Sequence, residues 1–259
     1  MRTFEKLAYV DLETTGTRPA NDRITEIAIV LVDGHQVTRR WSSLVNPNAS
    51  IPPYIQNLTG ITNEMVSTAP RFEELIDTID ELLDERHFVA HNARFDYGFL
   101  KNSYQRAGRD FSFPVLCTVK LSRRLYPEHK RHNLDSLLQR HDLTCGSRHR
   151  AMDDAMVLPA IVSSMISDKG LEQVEQAMAH QVKQTSLPPN LADGSIERLP
   201  EGPGVYLFYE EKGNLLYVGK SINIRDRVRS HFYSVMKNDR EMQMAQQVCN
   251  IEHIETAGE

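Results

Sequence analysis

The N-terminal stretch alternates short apolar runs with turn residues. Leu7–Leu12 is an apolar run that ends in charged and turn residues, which predicts a buried strand. Ile24–Val32 is rich in β-branched residues and ends at Asp33-Gly34, a hairpin signal, so His35–Val45 is the returning strand of a three-stranded antiparallel meander. The period then changes. Phe72, Leu75, Ile76, Ile79, Leu82 and Leu83 recur at helical spacing across Arg71–Leu83, with Pro70 just before the start. Phe88–Ala90 predicts a short strand, Ala93–Ala107 a helix stopped by Gly108, and Val115–Leu121 another strand. Asn133–Arg140, Ala151–Ser167 and Leu171–Val182 read as helices. A block of strands followed by alternating strands and helices predicts an α/β domain on a mixed sheet, spanning residues 1–182.

Prolines 188, 189 and 200 with Gly194 break the pattern, so residues 183–200 are expected to be a linker. Beyond it, Gly204–Tyr209 and Leu215–Val218 flank the turn Lys212-Gly213-Asn214, a hairpin. Ile224–Phe232 follows as a basic helix and Asn250–Glu255 as a third strand, giving a small α/β domain over 201–259.

Composition narrows the class. Apolar residues make up 40% and charged residues 25% of 259, as in an ordinary globular chain, and the net charge of −5 does not announce a nucleic-acid partner. It does not exclude one, because a site that grips phosphate through metal ions needs carboxylates. Three widely separated cysteines form neither a disulfide framework nor a zinc pattern. Glu5 and Lys6 interrupt any leader-like run, and Ile24–Val32 is too short to cross a bilayer. A cytoplasmic location without membrane contact is expected.

The chemistry lies in the acids. Asp11-Leu12-Glu13 ends the first strand, and strand alternation puts both carboxylates on one face with Leu12 on the other. Two acids side by side repel unless a cation lies between them, and Thr14-Thr15-Gly16 adds hydroxyls and a flexible turn beside them. Asp96 follows the strand Phe88–Ala90 at a helix start, where the macrodipole alone favours an acid. His149 and Asp154 are five apart, which is expected to put them on adjacent turns of a helix start. Asp153 competes with Asp154, and the apolar face through Met152, Ala155 and Met156 selects Asp154.

Three segments thus deliver acids in the order DxE, D, HxxxxD. This order resembles the DEDD exonuclease superfamily, and His149 places it in the DEDDh branch, over roughly residues 5–170. The resemblance implies a ribonuclease H-like fold and a 3′→5′ exonuclease. Asp11, Glu13, Asp96 and Asp154 would hold two Mg²⁺ or Mn²⁺ ions, suited to hard oxygen ligands, and His149 would take the proton of the attacking water. The family's segment against the terminal nucleotide resembles Asn57–Thr62. Leu12, Thr14, Thr15, Leu58, Thr59 and Phe95 would position that nucleotide, Phe95 being either a base-contacting ring or a core aromatic. The implied partner is DNA, single-stranded or at 3′ ends, in repair or proofreading.

Gly204-Val205-Tyr206, Tyr217-Val218-Gly219-Lys220 and Arg225-Asp226-Arg227 resemble the GIY-YIG nuclease module of the UvrC type. Carried over, its site residues are Tyr206, Tyr217, Lys220 and Arg227. The family's tyrosine one helical turn after that arginine is His231 here. Glu252, Glu255 and Glu259 fall too early for its metal-binding glutamate, so the module is expected to be partial and not to cut. Lys220, Arg225, Arg227 and Arg229 form a basic face that either holds phosphates or is simply solvated. Gln184–Pro188 resembles the short peptide that docks bacterial polymerase subunits on the sliding clamp; a proline-ended linker explains it as well. Two other functions share these features: a 3′→5′ exoribonuclease, and a DNA-tethering protein whose GIY-YIG half is a docking module.

Overall fold

The computed structural model describes residues 4–183, 188, 190–192, 194–233, 244–245 and 247–256. The chain divides into two compact units, Met1–Lys183 and Gln184–Glu259. Of the clamp-like peptide, residues 184–187 lie outside the described residues.

The first unit is built on a five-stranded mixed sheet. Strands β1 (Lys6–Thr14), β2 (Ile24–Asp33) and β3 (Gln36–Leu44) form the antiparallel meander that the Asp33-Gly34 signal predicts. Helices α1 (Pro53–Thr59), α2 (Asn63–Ser67) and α3 (Phe72–Leu83) follow. Strand β4 (His87–Ala90) then adds parallel to β1, and after α4 (Arg94–Arg106) strand β5 (Val115–Cys117) adds parallel to β4, giving the order β3-β2-β1-β4-β5. Helices α5 (Thr118–Leu125), α6 (Leu134–Arg140), α7 (Ala151–Lys169) and α8 (Leu171–Lys183) complete the unit.

Alternation along the strands sorts two cores. Leu7 and Tyr9 of β1, with Ala28, Val30 and Val32 of β2, face α5–α8, while Ala8, Val10 and Leu12, with Ile27, Ile29 and Leu31, face α3 and α4. Both faces are covered, which is why β2 reads as a nearly continuous apolar run. Because β2 alone runs against the others, the C-terminal ends of β1, β3, β4 and β5 share one edge. Asp11, Glu13 and the chain leading to Asp96 therefore meet there.

Three local expectations are corrected. Val115–Leu121 is not one strand. Pairing with β4 ends at Ala90↔Cys117, and with no further ladder partner the chain turns helical at Thr118, burying Val119, Leu121, Ser122 and Leu125. His149 is not on a helical turn: it precedes α7 with φ +63°. In the segment expected as linker, Leu191, Ile196 and Leu199 pack into the core of the second unit beside Tyr206, Phe208 and Phe232.

The second unit has a three-stranded antiparallel sheet, β7-β6-β8, from β6 (Gly204–Tyr209), β7 (Leu215–Ser221) and β8 (Asn250–Glu255). Helix α9 (Ile224–Tyr233) packs Ile224, Val228 and Phe232 into its core.

Candidate active site

Strand β1 delivers Asp11 and Glu13 on the face shared with Leu7 and Tyr9. Asp96 enters in the first turn of α4 and is 3% exposed, with the backbone N–H of Leu12 donating to its carboxylate. Asp154 comes from the first turn of α7 and is 5% exposed. The backbone N–H of His149 donates to Asp154 Oδ2 at 3.2 Å, so the left-handed turn at His149 folds the imidazole back over the helix start. One ligand atom each from Glu13, His149 and Asp154 lies within 4.8 Å of the others, the spacing that a bound cation requires.

The electrostatics carry the same message. Burial raises the Asp11 carboxyl well above its ordinary value, and the charges of Asp96, Asp154 and Glu13 raise it further. Burial, with the charges of Asp154 and Glu26, pushes Glu13 up to about 8. Asp96 is raised by burial and by Glu13, against the pull of its own backbone N–H and that of Leu12. Four acids that repel one another in a low-dielectric pocket are a destabilising arrangement unless cations neutralise them. The four acids therefore fit divalent ions, since their ligand atoms are hard oxygens.

Two residues absent from the sequence-level site complete it. Arg148 bridges Asp154 Oδ1 and, at 2.9 Å, Asp135 Oδ1 of α6, and its charge opposes the upward shifts of Asp11 and Glu13. Glu26 of β2 is buried in register with Glu13. Its carboxylate accepts from Arg150 Nη2 and Nε at 2.7 and 3.1 Å and from the Ala151 N–H at 3.0 Å. This pair latches the start of α7 to the sheet and so sets His149 and Asp154 opposite Glu13. The available signal was an acid inside an otherwise apolar strand; its partner is 124 residues away. Glu26→Ala is expected to lower unfolding free energy by about 3 kcal/mol, the low end for a broken buried pair because Arg150 is 39% exposed. Urea unfolding followed through Trp41 checks this, and an unchanged midpoint would remove the latch role.

Asp153 does different work from Asp154: its carboxylate accepts the Ser147 N–H at 2.8 Å and closes the preceding loop. Cys145 Sγ lies 3.4 Å from Asp154 Oδ1, and burial raises its thiol to about 11.

The residues expected at the nucleotide divide. Leu58 is exposed on α1. Thr59 is buried; its Oγ1 donates to Ile55 O and accepts the Ile61 N–H. Thr14 Oγ1 donates to Gly16 O, and Thr15 Oγ1 accepts the Arg23 N–H, so both shape the β1–β2 turn. The Leu12 side chain is buried in the α3–α4 core, and Phe95 is half-buried with its ring 4.8 Å from Phe99.

In the second unit, Tyr206 is 1% exposed and its Oη is 2.8 Å from His231 Nε2. Its ring stacks on Tyr217 at 5.9 Å, and a Cβ at Gly219 would meet it at 2.3 Å, so that position requires glycine. Burial and the Tyr217 phenol raise Tyr206 to about 12, against a hydrogen bond from Arg227. Lys220 is exposed on β7. Arg225, expected on the phosphate-holding face, is engaged by Glu201 at 2.6 Å and Leu199 O at 2.7 Å.

Residues 9–162 match the exonuclease family RNase_T, and residues 202–259 match the UvrC-like GIY-YIG domain. The chain is 36% identical over 265 residues to a protein of Mycobacterium tuberculosis named as a bifunctional exonuclease/endonuclease, a match over 96% of this chain and 40% of that one. It is 41% identical to the 3′-5′ exonuclease DinG of Bacillus subtilis over 59% of this chain and 17% of that one. The chain thus spans well under half the length of these relatives. Among solved structures, exonuclease X in complex with 5′-overhanging duplex DNA aligns with TM-score 0.55 and 28% identity over 68% of this chain and 99% of that chain. Escherichia coli exonuclease I with a dA16 oligonucleotide aligns with TM-score 0.61 over 78% of this chain and 48% of that one; at 16% identity this shows the shared fold.

Proposed function

The chain belongs to the exonuclease family RNase_T, whose match covers residues 9–162, and from that premise we propose that it removes nucleoside 5′-monophosphates from DNA 3′ ends, in repair or proofreading. The observation that supports this reading is that Glu13, His149 and Asp154 offer ligand atoms within 4.8 Å of one another, near enough to Asp11 and Asp96 for the charges of Asp96, Asp154 and Glu13 to raise the Asp11 carboxyl. DNA as the polymer is supported by the DNA complex of exonuclease X. Three free cysteines agree with a cytoplasmic site of action, and no helix among the described residues is long and apolar enough to cross a membrane.

Asp11, Glu13, Asp96 and Asp154 would hold two Mg²⁺ or Mn²⁺. Such ions supply the charge that makes a water acidic near neutral pH and steadies a departing alkoxide. An imidazole nitrogen of His149, within 4.8 Å of Glu13 and Asp154 ligand atoms, takes the proton released by the attacking water. The water oxygen bonds to the last phosphorus, the bond from that phosphorus to the 3′-oxygen of the preceding nucleotide breaks, and that oxygen takes a proton from solvent to become a 3′-hydroxyl.

The test is a digestion of 5′-labelled single-stranded DNA and RNA of one sequence with Mg²⁺ or Mn²⁺, beside His149→Ala. A one-nucleotide ladder from the 3′ end is expected, faster on DNA, and slowed roughly 10²-fold in the variant. Intact substrate with both metals would sink the proposal; a faster ladder on RNA would reassign the polymer.

A further inference from the structure

The first unit has a second concave feature, a cleft between the sheet and the helix pair α7–α8. It holds about 600 Å³, part of it open to solvent. Leu7 of β1 and Val32 of β2 line it on the sheet side, with Val162 and Ile166 of α7 and Val174 and Met178 of α8 opposite. Strand β1 enters the cleft with its N-terminal half and carries Asp11 and Glu13 beyond it. Helix α7 enters with its C-terminal half and carries Asp154 in its first turn. The cleft is therefore separate from the acids, although the same two elements build both.

The buried part of its lining is apolar except for Tyr9, which is 2% exposed. Among the described residues the Tyr9 phenol has no hydrogen-bond partner, and burial alone raises it above its ordinary value. A hydroxyl buried without a partner is costly, and phenylalanine would fill the same space without that cost. The fold does not use this hydroxyl, which leaves it to an acceptor brought in from outside. The mouth of the cleft adds a second constraint. Glu5 and His35 are exposed there and Glu175 is half-buried. Two carboxylates at the mouth repel an anion and favour a ligand whose outer end is neutral or cationic.

We propose that this cleft binds a small organic molecule with a ring-sized apolar body, a hydrogen-bond acceptor at its buried end for the Tyr9 hydroxyl, and no negative charge at its outer end. An apolar concavity of this size, with one polar group to fix orientation, has the make-up of a small-molecule site. The assignment is independent of the nuclease reading.

Methyl-detected NMR titrations of the full chain test it, using ethylbenzene, acetophenone and 4-acetylbenzoate on the wild type, Tyr9→Phe and Glu175→Gln. The methyl signals of Val162, Ile166 and Met178 report occupancy. Tyr9→Phe is expected to weaken acetophenone about fivefold, the worth of one neutral hydrogen bond. Ethylbenzene, which has no acceptor, is expected to bind that variant as it binds the wild type, and the unfolding midpoint of the variant is expected not to fall. 4-Acetylbenzoate is expected to bind the wild type more weakly than acetophenone and to gain severalfold in Glu175→Gln, where acetophenone is unchanged. Equal affinity of acetophenone for the wild type and Tyr9→Phe overturns the ligand class. So does a lower unfolding midpoint in Tyr9→Phe, because the hydroxyl would then have a partner in the fold. Methyl signals that none of the three probes moves overturn the site itself and leave the cleft to a side chain of a protein partner.

Discussion

Asp11→Asn is expected to cut exonuclease turnover by at least ~10³-fold while leaving the metal-free protein more stable than the wild type. The first effect follows from losing one of four carboxylates that would hold the ions. The second follows from the cost of burying Asp11 among Asp96, Asp154 and Glu13. Removing a charge whose neighbours repel it relieves that cost, so the unfolding midpoint of the metal-free protein is expected to rise. Asp154→Asn is expected to be equally inactive but less stable without metal, because Arg148 loses the buried partner that holds it. Single-turnover digestion and Trp41-detected unfolding in EDTA measure both. Wild-type turnover in either variant would mean that the ligand set is wrong. Stability changes of the same sign would mean that Arg148 and Asp154 do not form the pair described.

Residues legible in the sequence were those whose chemistry follows from local period. Asp11 and Glu13 flank Leu12 on a strand, and alternation alone puts them on one face and Leu12 in the opposite core. The meander was legible because Asp33-Gly34 marks its turn; Gly34 has φ +63° there. The illegible parts depend on partners far along the chain. Helix α5 begins where β4 stops offering a ladder, a boundary set by Ala90 and not by Thr118 itself. Helices α1 and α2 lie in a proline-containing stretch too short for any period to emerge, and only their shared core with Leu44 defines them. The turn at His149 needs φ +63°, which no spacing rule anticipates for histidine. Glu26 and Arg148 act through Arg150, Asp135 and Asp154, contacts that appear only when β2, α6 and α7 have packed. Buried acids were thus readable as types and positions, whereas the cations that balance them were not.

That balance makes the response of metal-free protein to pH the second large effect. Asp11, Glu13 and Asp96 all have folded-state pKa values raised above their ordinary ones, Glu13 from 4.5 to about 8. The folded protein therefore keeps protons that the unfolded chain releases. The resulting stability is fully present below the ordinary carboxylate range and is lost as pH climbs through the folded-state values. In EDTA, unfolding free energy is expected to fall by a few kcal/mol between about pH 4.5 and about pH 8, the window that the Glu13 shift defines. For a unit of this size that is a drop in Tm of roughly 10 °C. Divalent ions that bind the deprotonated acids reverse the penalty, so with Mn²⁺ the fall is expected to vanish or change sign. Arg148→Gln removes the cation that opposes the shifts of Asp11 and Glu13, so its fall in EDTA is expected to be steeper than that of the wild type. Trp41, the single tryptophan, lies on β3 and reports the unfolding of this unit alone. A metal-free Tm that is flat or rises from pH 5 to pH 8 would show that the acids are not held together in the folded state. A steep fall that Mn²⁺ leaves untouched would show that they are held together for some purpose other than binding the ions.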